Sequence, residues 1–277
     1  MFDPLFRKSL RDLRGQVLGW GLGMGAMLAL TVAVFPSVSD VYGELFESLP
    51  DAWAGFIGEG DFSTIEGYLS VEFFSYAHVA FAVFAILSGG ALIVGEEING
   101  TMDLLLSQPV TRLRVAIVKL SAFTASLVLI VGITALGFVI PALFIGEASS
   151  IGRFGNAFLL LLPFEMMVAL AAALLAQLFA SNAAGGTILA GLLVASYMLD
   201  ALSGVSQVLV DLRPVYLTSY FQGAEALNGD VSWVYLGVSL VTTVVLAVGN
   251  VLFFVRRDIA VGGLLHVPRL RLHHGNG

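Results

Sequence analysis

The sequence predicts an all-α integral membrane protein. It has six transmembrane helices, an N-terminal amphipathic interfacial helix, and a short cytoplasmic helix between spans two and three. Three observations carry this. Hydrophobic residues make up 58% of the chain and charged residues only 12%, whereas a soluble domain is about a quarter charged. Six runs reach the roughly 20 apolar residues that a helix needs to cross a bilayer. The basic residues gather on one side of those runs. A soluble fold of 277 residues has too little interior to hide so much apolar surface. Cysteine is absent, so disulfides and thiolate metal sites are excluded.

Residues 1–15 read as an amphipathic helix lying on the membrane. Asp3 can cap it and Pro4 suits its first position. Phe2, Phe6, Leu10 and Leu13 fall on one face, and Arg7, Arg11 and Arg14 on another. Such a face sits among anionic headgroups, which makes lipid a partner. The spans follow at 16–35, 68–94, 115–145, 155–180, 184–205 and 232–255, in one transmembrane domain covering 1–277. The first has no cleavage site after it and reads as a retained helix rather than a signal peptide. Its Gly15, Gly19 and Gly23, with Gly21 and Gly25 offset beside them, suit close helix packing. The third is long and contains Pro141, so it tilts, kinks or extends beyond the bilayer. The fourth and fifth are joined by a turn at residues 181–186.

Eleven of the 13 basic residues precede the first span, follow the second or follow the sixth, and only Arg153 and Arg213 fall on the other side. By the positive-inside rule both termini, the 256–277 tail and the segment at 95–115 are cytoplasmic, in a plasma-membrane protein. The loop at 36–67 is then external. It has no Lys or Arg but carries Asp40, Glu44, Glu47, Asp51, Glu59, Asp61 and Glu66. It reads as a solvated face that kept no positive charge, with attraction of cationic substrates as the sharper alternative. The net charge of −7 is therefore largely external, and nothing points to nucleic acid.

The most informative segment lies between spans two and three. Glu96 and Glu97 close the second span and Gly100 breaks it. Thr101 can cap a new helix with Asp103 in its first turn, where the helix dipole favours an acid. That helix holds Leu104, Leu105 and Leu106 and lasts about two turns. Pro109 disrupts its continuation and fits the start of the next helix, followed by Arg112 and Arg114. Three leucines ringed by charge beside water have the form of a docking surface.

This segment resembles the permease subunits of type 2 ABC exporters. Their hallmark after the second span is an acidic pair, Gly-Thr, an acid, a leucine run, Pro-Val, a hydroxyl residue and Arg. Here Glu96, Glu97, Gly100, Thr101, Asp103, Leu104, Leu105, Leu106, Pro109, Val110, Thr111 and Arg112 match, and Lys119 fits the lysine that often opens the third span. The basic N-terminal helix, the six spans and the large first external loop agree, so the resemblance covers nearly the whole chain. It implies docking of a separate cytoplasmic ABC ATPase on this coupling helix. It also implies a second permease half, identical or related, ATP and Mg on the ATPase, and export of a hydrophobic or amphipathic substrate. On that reading Glu96 and Glu97 contact the ATPase and the leucines seat the helix.

The residues independently exclude one thing. A P-loop needs Gly-Lys followed by Ser or Thr, and the only lysines, Lys8 and Lys119, follow Arg7 and Val118. Energy must therefore come from a partner or an ion gradient. No nucleophile–base constellation or metal motif is visible, and His266, His273 and His274 are too loosely arranged for one. Catalytic residues, metals and cofactors are therefore expected to be absent from the chain.

Ionisable groups within spans are functional suspects. Glu72 and Asp200 lie near external ends and have an interfacial explanation. His78 and Glu165 lie deeper. They are a possible intramembrane polar site, as a pair or with Glu165 facing a cavity that selects cationic amphiphiles. The other reading is that Glu165 only packs the bundle. Phe73, Phe74, Phe81 and Phe84 form either a substrate wall or lipid-facing bulk. Two other classes stand beside the exporter: an ion-coupled secondary transporter, which would need more intramembrane charge and inverted repeats, and a non-transporting scaffold or sensor.

Overall fold

The first helix, α1, spans Pro4–Glu47 without a break in the computed structural model, which describes residues 4–47 and 63–256. It unites what the sequence divides into an interfacial helix, a span and the start of a loop. Gly15 at the expected junction costs only about 1 kcal/mol in a helix, too little to end one. Pro36 removes a single backbone bond, while Phe35 is buried and Val38 packs on the core beside it. Forty-four residues span roughly 66 Å, about twice the hydrocarbon thickness, so α1 projects beyond the bilayer. Its first turns keep the expected polarity, with Phe6, Leu10 and Leu13 half-buried and Arg7, Arg11 and Arg14 exposed. Phe2, Asp3, Asp51, Glu59, Asp61, Arg257, Arg269, Arg271, His266, His273 and His274 lie outside the described residues, as do the side chains of Asp40, Glu44 and Glu47.

The second span starts earlier than expected. Thr64 caps α2 (Ile65–Leu69) by accepting from the Gly67 amide at 3.2 Å. A π-helical turn, Ser70–Phe74, leads into α3 (Ser75–Ile98). Phe73, Phe74, Phe81 and Phe84 are no more than 1% exposed. They face neither lipid nor a cavity wall; Phe73 and Phe74 pack on Phe158, and Phe84 stacks on Phe123 at 5.6 Å.

After the short α4 (Met102–Leu106), α5 runs Arg112–Ile145 straight across Pro141 and ends at Gly146, whose φ of +90° needs glycine. The next helix, α6, spans Ile151–Phe179. Only Ala180 and Ser181 separate it from α7 (Asn182–Ala201), which Ser181 caps by accepting from the Ala184 amide at 3.2 Å. Most of the turn expected at 181–186 is therefore helix. Gly185 serves close packing instead, since a Cβ there would come within 2.6 Å of the Ala176 amide nitrogen.

The linker at 202–232 is built rather than loose. It contains α8 (Gln207–Asp211), 3-10 turns at Arg213–Val215 and Thr218–Tyr220, and α9 (Gly223–Asn228). The last span is α10 (Trp233–Arg256). Among the described residues six helices are long and apolar enough to cross a membrane, and no strand occurs.

Two packing groups emerge. α1 lies along α5, with the Gly25 backbone against Gly137 too closely for any side chain. The other group is α3, α6, α7 and α10. There Gly89 touches the Ala169 backbone and Gly90 meets Asn182. The hydroxyl of Thr243 donates to the Pro163 carbonyl at 3.1 Å, and Asn250 Nδ2 donates to the Leu170 carbonyl at 2.9 Å. Both bonds link residues 80 apart, so α6 and α10 run parallel. The glycines of α1 divide accordingly. Gly21 and Gly25 pack on Ile133, whereas Gly15, Gly19 and Gly23 meet nothing within 4 Å. With Gln16, Trp20 and Met24 those three line a shallow concavity of about 470 Å³. Close packing within the chain therefore falls to the offset pair, not to the stripe.

Candidate functional site

The segment singled out in the sequence forms a compact structure at the end of the bundle that carries most basic residues. The α3 helix stops at Asn99, and Gly100 turns the chain at φ +67°, a left-handed conformation with open space around it. The helix that follows, α4, has only five residues, about one and a half turns rather than two. It hangs from one residue the sequence reading passed over: Met102 is 1% exposed and packs with Ile93, Val115, Ala116 and Phe254. Leu105 and Leu106 lean on the same cluster, as does Leu5 of α1. Leu104 points out and is 71% exposed, with Asp103, Ser107, Gln108 and Pro109 exposed around it. So the leucine run splits, with two seats inward and one knob outward. Pro109 does not open the next helix. Thr111 does so, its hydroxyl accepting from the Arg114 amide at 3.2 Å, and Arg112 is the first residue of α5.

The structure gives Thr101 different work from that expected and places Glu96 in a cluster of its own. The Thr101 hydroxyl does not cap α4 and donates to Glu96 Oε2 instead. Glu96 Oε1 accepts from Lys119 Nζ at 2.9 Å and from Lys8 Nζ at 3.2 Å. Side-chain exposure is 13% for Glu96, 8% for Lys119 and 50% for Lys8. Both carboxylate oxygens are thus engaged within the chain. Glu97 follows it, half-buried.

At the opposite end, the 202–232 linker closes over the bundle. The Thr218 amide donates to Ser196 Oγ at 3.0 Å, and Arg213 pairs with Asp200 at 3.2 Å. Tyr216, Phe221 and Leu227 are buried. Phe221 stacks on His78 with ring centroids 4.7 Å apart, and Phe164 and Tyr197 flank the same imidazole. Arg153 pairs with Glu66 at 3.2 Å, so each of the two basic residues at this end is matched by an acid.

The pairing of His78 with Glu165 does not form. His78 Nδ1 lies 3.3 Å from the Phe74 carbonyl, and Nε2 has no hydrogen-bond partner among the described residues. Glu165 is 0% exposed, and neither of its carboxyl oxygens has a hydrogen-bond partner among the described residues. The structure brings His78 to the aromatic cap and leaves Glu165 sealed inside the helix group.

Residues 8–254 match a family described as multidrug efflux system permease Rv1217c, C-terminal domain. The chain belongs to this family. It is a multi-pass membrane permease of a transport system. No curated protein matches the chain.

The permease also has polar intramembrane residues that sequence reading missed. Asn250 is 0% exposed and Gln177 2%, and Gln177 Nε2 donates to Asn250 Oδ1 at 2.7 Å. Each is a lone amide in an apolar run, and an amide facing lipid would be costly. That cost was the available signal. Met102 offered none, since an apolar residue beside three leucines reads as one of them.

Proposed function

We propose that the permease is the membrane subunit of an ATP-driven exporter of the type 2 ABC class. It moves hydrophobic or amphipathic compounds, in keeping with the multidrug efflux family it belongs to, and takes its energy from a separate cytoplasmic ATPase. ATP and Mg belong to that partner. A second permease half, identical or related, completes the transporter. Both termini and α4 face the cytoplasm, in accord with the basic residues there.

One observation carries this reading. A short helix seated from behind by Met102 presents a single exposed leucine, Leu104, on the basic end of the bundle. A side chain that is 71% exposed contributes little to its own fold. An apolar knob ringed by polar groups suits a pocket on a partner. In this reading Asp103 and Pro109 border the contact, Gly100 is the hinge before it, and Glu97 and Arg112 flank it. Glu96 and Thr101 hold the element in place from within.

The test is purification from native membrane in mild detergent. An ATP-binding chain should co-purify with the wild-type permease and be lost on Leu104→Asp, with the permease still folded. A permease that comes out alone in several detergents would overturn the ABC assignment. The second reading, ion-coupled transport, is favoured by one observation only: the enclosed Glu165 carboxyl, which has no hydrogen-bond partner among the described residues and is of the kind that marks ion pathways. Glu165→Gln would then abolish transport driven by an imposed proton or sodium gradient.

A further inference from the structure

The permease contains only two lysines, one near the start of α1 and one in the second turn of α5, and both converge on one oxygen of Glu96. The partition of the bundle gives this convergence its meaning. Lys8 and Lys119 belong to the α1–α5 pair, which packs along its length through Gly25 and Gly137. Glu96 belongs to α3, which packs chiefly on α6 and α7. Packing between α1 and α3 is sparse. Higher up that contact, Ser88 of α3 donates to Gln16 of α1. The Glu96 cluster is therefore an ionic bridge across the seam between the two helix groups. Its remaining oxygen takes the Thr101 hydroxyl, on the far side of the Gly100 hinge. One carboxylate ties together the end of α3, the root of α4, and both helices of the α1–α5 pair.

We infer that Glu96 is a positioning residue and that Lys8 makes the first turns of α1 part of the transmission. Displacement of α4 pulls on Glu96 through Thr101, and Glu96 delivers the pull to the basic ends of α1 and α5 together, shifting them against the end of α3. Salt bridges can exchange partners between two registers, whereas further along the seam Phe84 of α3 stacks on Phe123 of α5 and Phe138 of α5 on Phe154 of α6, so the movement belongs to the basic end. Lys8 is the adjustable arm. Its side chain is half-exposed and also reaches Asp12 at 3.4 Å, so it can exchange partners, whereas Lys119 is enclosed.

The inference that this motion drives export rests on the ABC reading, and the experiment separates the two. The chain lacks cysteine, so spin labels at Ser107→Cys on the α4 side and Arg11→Cys on α1 report a single distance distribution in the purified permease. Lys8→Gln should broaden or split that distribution, and Lys8→Arg should restore it. This readout needs no ATPase. Where the ATPase is bound, Lys8→Gln should leave it bound and hydrolysing but lower substrate moved per ATP by roughly two- to thirtyfold, the range seen when coupling networks are cut, and Lys8→Arg should recover most of it. An unchanged distribution in Lys8→Gln overturns the latch, as does unchanged transport per ATP. A changed distribution with no ATPase on the wild-type permease keeps the latch and removes the exporter reading.

Discussion

Replacing Glu96 by alanine tests the reassigned role of that residue. The change leaves Lys119 with 8% of its side chain exposed and removes its carboxylate partner. Breaking an enclosed ion pair by deleting one partner costs roughly 3–5 kcal/mol, because the other charge stays uncompensated. The cluster opens to solvent on the Lys8 side, where exposure is 50%, so the low end of that range applies, about 3 kcal/mol. Deleting the other end, by Lys8→Gln, breaks a half-exposed pair worth about 0–1 kcal/mol. At a few degrees per kcal/mol for a chain of this size, Glu96→Ala should lower the unfolding temperature in detergent by roughly 5–12 °C and Lys8→Gln by at most about 3 °C. Scanning fluorimetry on the three tryptophans measures both. Adding Lys119→Leu to Glu96→Ala should recover part of the loss, since the stranded charge goes with it. Equal shifts for the two single variants, or no recovery in the double, would refute the claim that Glu96 exists to hold Lys119 and the seam. They would return it to the role of a surface contact.

Gly100→Ala should cost about 1–2 kcal/mol from the left-handed φ of +67° alone, because nothing crowds the site. The unfolding temperature should fall slightly while transport per ATP falls much further, as the hinge into α4 moves. Leu104→Asp and Met102→Asp should separate docking from folding. The first, 71% exposed, should keep the wild-type unfolding temperature and lose the ATPase, whereas the second, 1% exposed, should destabilise the permease itself, as fluorimetry and co-purification would show. Glu225 gives a pH dependence. Burial pushes its carboxyl above the ordinary value of 4.5, with the Asp200 charge adding to the rise. The folded state therefore holds this proton more tightly than the unfolded state, and its contribution to stability is full below about 4.5 and is lost as pH rises through the raised value. Glu225→Gln should flatten that part of the profile of unfolding temperature against pH.

How much of this was legible in the sequence follows from what each signal depends on. Span count depends on hydropathy summed over about 20 residues, a local quantity, so all six helices were readable, as was the broken helix at Gly100, whereas of the three leucines after it only Leu104 faces out. Boundaries failed where helix continued through residues that only weaken it, as at Gly15 and Pro36 in α1 and at Gly185 in α7. There the glycine answers a neighbouring backbone that no local pattern reveals. The 202–232 linker was passed over because its inward residues, Tyr216, Phe221 and Leu227, are scattered among turns and acquire a common face only once the chain folds over His78.

The sequence by itself determined the solvent of this protein, the number of its crossings, which end carries the basic residues, and that no P-loop is present. Those are sums over composition and position. Only the tertiary structure decided which charges meet. It joined Lys8, Glu96 and Lys119, separated by 88 and 23 residues along the chain, kept His78 and Glu165 apart, and divided three consecutive leucines between a core and a surface. Such pairings are set by helix packing, at Gly25 against Gly137 and at Gly89 against Ala169. A residue's partner in a bundle is fixed by how closely backbones approach, which no residue carries alone.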